Sequence, residues 1–216
     1  MGLTTLNTLL PAVSFERLFK TGDGPRDKFL SRLFGIFSEE IVRTWCRCAR
    51  APYQDLGRPT VRLPGESRGK TLDFTFRSRA DGGLFVGEMK CELEFESYRY
   101  LTLTDHRQLD HHKTDAFQRF LDLARGAGGY SVAVNGKPIS PSGAILVWGS
   151  VTSAGRADVT KATDVVDVLS VEQIIGDLLL WDPPEYEAFV EARAQWCDDL
   201  FHVLAGHGQP TRGSAP

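Results

Sequence analysis

Two carboxylates and a lysine stand in two strand-like runs: Asp73 in the alternating Thr71-Leu-Asp-Phe-Thr-Phe-Arg77, and Glu88 and Lys90 in the largely apolar Leu84-Phe-Val-Gly-Glu-Met-Lys-Cys91. Both runs read as strands, and the intervening Ser78-Arg-Ala-Asp-Gly-Gly83 is rich in turn residues, so the pair predicts a β-hairpin. By the period of two, Asp73 shares a face with Thr75 and Arg77, and Glu88 and Lys90 share one with Leu84 and Val86. A turn centred on Ala80-Asp81 sets Asp73 opposite Glu88; one centred on Asp81-Gly82 sets it opposite Lys90. In either register two carboxylates and an ammonium project from one face. Flanked by Phe74, Phe76, Phe85 and Met89, that cluster is held partly buried at a cost that something must offset. A hard divalent cation does so: Asp73, Glu88 and the backbone carbonyl of Met89 offer three oxygens to Mg²⁺ or Mn²⁺. Lys90 can then orient or deprotonate a water and offset charge on a phosphorane-like transition state. The chemistry predicted is phosphodiester hydrolysis.

The elements that must position these groups follow from periodicity. Leu30, Leu33, Phe34, Phe37, Ile41 and Trp45 form one apolar stripe of a helix over 27–49, started by the loop Thr21-Gly22-Asp23-Gly24-Pro25. Residues 52–69 read as a loop with one short strand at 60–63, and 106–125 as a second helix carrying Leu109, Phe117, Phe120, Leu121 and Leu123. Ala144-Ile-Leu-Val-Trp-Gly149 predicts a strand buried on both faces. A short strand at 165–168 and helices over 171–180 and 184–204 complete a single domain over 1–205, with 206–216 a disordered tail. The class is α/β, a sheet flanked by helices.

Asp73 followed by Glu88-Met89-Lys90 on the next strand resembles the PD-(D/E)XK nuclease superfamily, although Leu72 stands where that family's motif has proline. The resemblance implies a restriction-endonuclease-like core (helix, three-stranded meander, helix, strand) over 27–150, with extra C-terminal helices. It implies a Mg²⁺ or Mn²⁺ cofactor and DNA as the expected substrate, and it fits dimers that bring two sites to two strands. Members frequently carry a glutamate on the first core helix. Of the neighbours Glu39 and Glu40, a helical wheel puts Glu40 at the border of the apolar stripe and Glu39 toward solvent, which selects Glu40. Members also use a glutamine on the following helix, a place that Gln108 fills. Catalytic roles therefore fall on Asp73, Glu88, Lys90, Glu40 and Gln108, and metal ligation on Asp73, Glu88, Met89 and Glu40.

Charge distribution bears on the substrate. Of the 216 residues, 25 are Lys or Arg and 28 Asp or Glu, a net charge of −3 that argues against a general polyanion binder. The segment 43–79 nevertheless holds nine basic residues against three acidic, while 164–199 holds ten acidic against one Arg. Arg43, Arg47, Arg62, Lys70 and Arg77 are the candidates for phosphate-backbone contacts, which give affinity without base specificity. His106, His111 and His112 invite a metal or general-base reading, but consecutive helical residues diverge by about 100°, so at most one of His111 and His112 reaches a given site. Four cysteines without paired zinc spacing read as reduced thiols. No spanning segment, export signal, phosphate loop or Rossmann fingerprint appears, so a cytoplasmic home is expected. Two rival readings follow from the same residues: a non-catalytic nucleic-acid-binding or assembly module on this fold, and a partner-binding domain acting through its acidic C-terminal helices.

Overall fold

The computed structural model describes residues 13–207. Helix α1 (Phe15–Phe19) is a short segment capped by Ser14. Helix α2 (Gly24–Arg47) begins where the turn residues place it. Asp23 caps it, Pro25 lies in its first turn, and the buried Asp27 carboxylate accepts the Thr21 hydroxyl and the Thr21 and Gly22 N–H groups. Strands β1 (Tyr53–Asp55), β2 (Pro59–Arg62), β3 (Lys70–Thr71), β4 (Phe74–Ser78) and β5 (Leu84–Lys90) follow, then α3 (Phe95–Tyr98) and β6 (Thr102–Leu103). A 3₁₀ turn at His106–Leu109 leads to α4 (Asp115–Ala124), β7 (Ser131–Val134), β8 (Lys137–Ile139), β9 (Ala144–Trp148) and β10 (Ser150–Val151). The chain continues through α5 (Ser153–Thr163), β11 (Asp167–Ser170), α6 (Val171–Trp181) and α7 (Pro184–Leu204).

The architecture is mixed α/β. A five-stranded sheet runs β1-β4-β5-β9-β11, antiparallel through β1, β4 and β5 and parallel from β5 through β9 to β11. A four-stranded sheet runs β3-β2-β7-β8, and β6 pairs with β10. All five residues of β9 are buried, as expected of a strand covered on both faces. Helix α4 packs on β5 and β9, α5 on β11, and α2 on β1. Phe117 and Phe120 of α4 and Val159 of α5 join Val86, Leu146, Trp148 and Val168 of the sheet in one core.

Three departures from the sequence pattern matter for the site. The run 71–77 is not one strand: Leu72 N–H still donates to Pro59 of the four-stranded sheet, and Asp73 N–H already donates to Gly87 of the five-stranded one. Asp73 thus sits in the bend where the chain changes sheets. The helix expected over 106–125 starts only at Asp115, because Thr114 caps it and an Asp105/Gln108 capping box closes a separate 3₁₀ turn. A strand lies at β1, within the segment read as a loop, and supplies the third antiparallel strand.

The chain divides into two compact units between Asp177 and Leu178. In the second, α7 begins at Pro184 as the periodicity predicts, and Arg193 lies over the rings of Phe189 and Trp196. The tail expected at 206–216 lies, from 208 onward, outside the described residues. No helix among the described residues is long and apolar enough to cross a membrane.

Candidate active site

Strands β4 and β5 pair with Phe74 opposite Gly87 and Thr75 opposite Val86, and Asp73 lies one residue beyond the last pair, its N–H on the Gly87 carbonyl. This pairing is the first of the two registers the sequence allows, closed by a four-residue loop with Ser78 N–H on the Gly83 carbonyl at 2.9 Å. Gly87 makes the approach possible, since a Cβ there would stand 2.5 Å from the Phe76 ring and 2.9 Å from Phe74 Cβ.

Asp73 is held from several sides. Its Oδ2 accepts the Met89 N–H at 2.9 Å, its Oδ1 accepts from Arg58 Nη2 at 3.1 Å, and its backbone carbonyl accepts from Arg43 Nη2 at 3.2 Å. In an antiparallel pair the N–H and C=O of one residue leave the strand on the same edge, so the Met89 carbonyl also faces the Asp73 side. Glu88, 5% exposed, accepts from Lys90 Nζ on Oε1 at 2.6 Å, while its buried Oε2 has no partner. Burial first, and then the Asp73 charge, push the Glu88 carboxyl up to about 7 against the pull of Lys90. The Lys90 ammonium also lies 5.4 Å from the centre of the Phe117 ring. Asp73, Glu88, Lys90 and the Met89 backbone are therefore brought together as the residue types require.

Glu39, not Glu40, borders this cluster. Arg58 Nη2 lies 3.5 Å from Glu39 Oε1, Arg43 Nη2 donates to Glu39 Oε2 at 3.0 Å, and Glu40 is exposed. The wheel misplaces the pair because its stripe leaves out Val42 and Cys46. Both are buried on α2 and, with buried Ser31 and Ser38, they turn the buried face toward Glu39. The hydrogen bond to Asp73 raises the Arg58 guanidinium further above its ordinary value, and Arg58 spans the two acids. With Arg58 between them, Glu39, Asp73 and Glu88 do not bring three ligand atoms within 4.8 Å of one another.

Gln108 is placed elsewhere. Its Nε2 donates to the Arg99 and Thr102 carbonyls at 3.0 Å each, and its Oε1 accepts from the Thr104 N–H and hydroxyl and the Asp105 N–H. Every polar atom of that side chain is engaged in holding the segment before α4.

The basic residues scatter. Arg43 is tied to Glu39, to Asp55 at 3.6 Å and to the face of Phe74, which makes it a positioning residue. Arg47, Arg43 and Arg79 line a cavity of about 360 Å³ with Cys46, Gln54 and Asp55. Arg77 is exposed on β4, Arg62 is exposed on β2, and Lys70 pairs with Asp115 at 3.1 Å. Arg58 and Glu39 are the site residues that sequence reasoning missed. Arg58 carried no signal beyond membership of the basic segment.

Beyond Lys90, the chain brings Glu92 beside His111 and His112, with one ligand atom from each within 4.8 Å of the others. Burial, with the neighbouring His111 and Lys90 charges, pushes His112 down to about 3. Comparison with protein-family models, with curated proteins and with solved structures finds no match for this chain.

Proposed function

We propose that this protein is a metal-dependent nuclease of the PD-(D/E)XK type, hydrolysing phosphodiester bonds, with DNA as the expected substrate. The observation that carries the reading is Asp73 bonded to Gly87 and Met89 on either side of Glu88, with Lys90 on one Glu88 oxygen and the other buried oxygen unpartnered. A buried carboxylate oxygen without a donor is costly, and a divalent cation is the partner that removes the cost. The order α2, antiparallel β1-β4-β5, α4 and β9 supports the restriction-endonuclease-like core.

The ligands would be Asp73, Glu88 and the Met89 carbonyl, with Glu39 rather than Glu40 as the helix glutamate. When bound, Mg²⁺ or Mn²⁺ supplies charge neutralisation and an acidified water. Lys90, oriented by Glu88 and Phe117, presents its remaining ammonium protons to the oxygens of a scissile phosphate. Arg58, half exposed, can exchange its carboxylate contacts for a phosphate, and Arg43 keeps Asp73 in place through the backbone.

One observation favours a second reading, a non-catalytic nucleic-acid-binding module. Arg58 and Lys90 already neutralise Asp73 and Glu88 as ion pairs. A plasmid-nicking assay with Mg²⁺, run beside Asp73→Ala and Lys90→Ala, separates the two. Cleavage abolished by either substitution is expected. Parent and variants equally inactive, with a salt-dependent gel shift, would establish the binding module instead.

A further inference from the structure

We infer that Glu92, His111 and His112 form a second metal site, separate from the Asp73/Glu88 cluster and suited to Zn²⁺ or a similar borderline divalent ion. The two histidines project from the end of the 3₁₀ turn, and Glu92 from the segment leaving β5. Glu92 Oε2 lies 3.2 Å from His111 Nε2, and Glu92 Oε1 lies 3.8 Å from His112 Nδ1.

The orientation of His111 carries the argument. Its Nδ1 lies 2.9 Å from the Gln108 carbonyl, an acceptor only, so the ring proton belongs on Nδ1. In the neutral ring that leaves the Nε2 lone pair pointing at a carboxylate oxygen. Lone pair against anion is repulsive, and a cation between them turns it into two ligand bonds. An imidazole whose far nitrogen is fixed by a backbone carbonyl is the arrangement that presents Nε2 to a metal.

Burial supplies a second, independent observation. His112 is only 7% exposed, and the nitrogen it turns toward Glu92 is Nδ1, 3.8 Å from Glu92 Oε1. Both rings are also immobilised: Phe95 stacks on His111 at 5.0 Å, Tyr100 lies 4.1 Å from it, and Phe117 and Trp148 flank His112. The consecutive histidines, which an ideal helix would splay apart, lie with ring centres 3.7 Å apart in this turn.

Two imidazoles and one carboxylate form a three-ligand set that suits zinc and other first-row ions and leaves a position for water, whereas Mg²⁺ prefers oxygen. Glu92 is exposed, so that position faces solvent. The site shares no ligand with Asp73 or Glu88.

Titration of the tag-free, EDTA-treated chain with Co²⁺, followed by Zn²⁺ competition, tests the assignment. The visible absorption of a low-coordinate Co²⁺ site is expected to saturate at one equivalent and to be displaced by Zn²⁺, whatever further ion the Asp73/Glu88 cluster takes without that absorption. Binding persists in the Asp73→Ala/Glu88→Ala double variant and weakens at least about 100-fold in His111→Gln and Glu92→Gln. X-ray absorption of the zinc-loaded parent reads two imidazole ligands, and it decides the question should a variant fail to fold. Binding lost with Asp73 and Glu88 but indifferent to His111, or an absorption spectrum without imidazole, overturns the proposal and leaves the trio an imidazolium–carboxylate pair.

Discussion

Asp73 accepts the Met89 N–H on its carboxylate at 2.9 Å, while its own N–H donates to the Gly87 carbonyl at 3.1 Å. These two bonds straddle Glu88. A bend between two sheets therefore does what a regular strand would not, since it lets an aspartate side chain extend the ladder and hold its acidic neighbour in register.

Asp73→Asn should separate architecture from chemistry. The amide oxygen still accepts the Met89 N–H, so the stability cost is expected to be about 1 kcal/mol, in the range of one altered hydrogen bond. Cleavage should fall at least about 100-fold, because a neutral amide neither balances a divalent cation nor pairs with Arg58. Urea unfolding beside the nicking assay measures both; a substantially active Asn variant would exclude Asp73 as a ligand.

Glu88 sets the direction of a pH effect. Its folded value is raised from 4.5 to about 7, so the unfolded chain gives up this proton first and the metal-free protein loses stability as pH rises from 4.5 through 7. Glu88→Gln has no proton to lose and should overtake the parent in melting temperature across that window. Mg²⁺ at pH 8 should restore the parent and not the variant, and EDTA should reverse the gain. A difference in melting temperature between parent and Glu88→Gln that stays flat with pH would contradict the burial cause.

Glu39→Gln and Glu40→Gln form a matched pair on adjacent residues. Glu39 meets Arg43 and Arg58, whereas Glu40 is exposed. Loss of activity by about tenfold or more is expected for Glu39→Gln, consistent with a group that orients a ligand, and none for Glu40→Gln. The reverse ranking in the nicking assay would restore Glu40 as the helix glutamate.

What the sequence makes legible here depends on whether local chemistry or distant packing decides. Glu88 and Lys90 could be placed on one face because strand parity is independent of turn detail, and α7 and β9 because their apolar patterns are long or continuous, whereas Asp73 reaches them from a bend that parity does not describe. Glu39 could not be chosen over Glu40, since the face of α2 extends past the stripe of large apolar residues to Val42, Cys46, Ser31 and Ser38, which only the packed structure marks as buried. Helix α5 has weak amphipathicity because it packs through Gly155, Val159 and Thr163, with Gly155 close against the Leu103 backbone. The β7–β8 hairpin, by contrast, carries a local signal: Asn135-Gly136 between Val134 and Lys137 takes the positive φ values of 49° and 76° that this dipeptide favours. The 3₁₀ turn carries one too, in Asp105 and Gln108 at capping-box spacing, but it hides inside an apolar pattern that continues into α4.

Gln108 should prove structural. Removing its side chain in Gln108→Ala leaves the Arg99 and Thr102 carbonyls and the Thr104 and Asp105 N–H groups without their partner, at about 1–3 kcal/mol for each that stays buried. The melting temperature should drop sharply. Below the transition, kcat per folded molecule should stay close to the parent value; a variant that is fully folded yet inactive would return Gln108 to a catalytic role.

Glu66 and Arg119 give a pH effect of opposite sign to that of Glu88. Arg119 donates from both terminal nitrogens, to Glu66 Oε2 at 2.6 Å and Oε1 at 2.8 Å, and also to the Val61 carbonyl at 2.9 Å. The bidentate bond from Arg119 and the Leu63 N–H hold the Glu66 carboxyl down to about 2. The folded value lies below the unfolded one, so this stabilisation is fully present above 4.5 and is lost as pH falls from there toward 2. Because the pair clamps the segment between β2 and β3 to α4, its loss should loosen the four-stranded sheet in which β3 precedes Asp73. Glu66→Gln should therefore melt below the parent at about pH 6 and converge with it near pH 2, and Arg119→Met should behave likewise. Urea midpoints at about pH 6, 4 and 3 follow the convergence; a Glu66→Gln difference that persists unchanged at the lowest of these would assign the effect to packing rather than to charge.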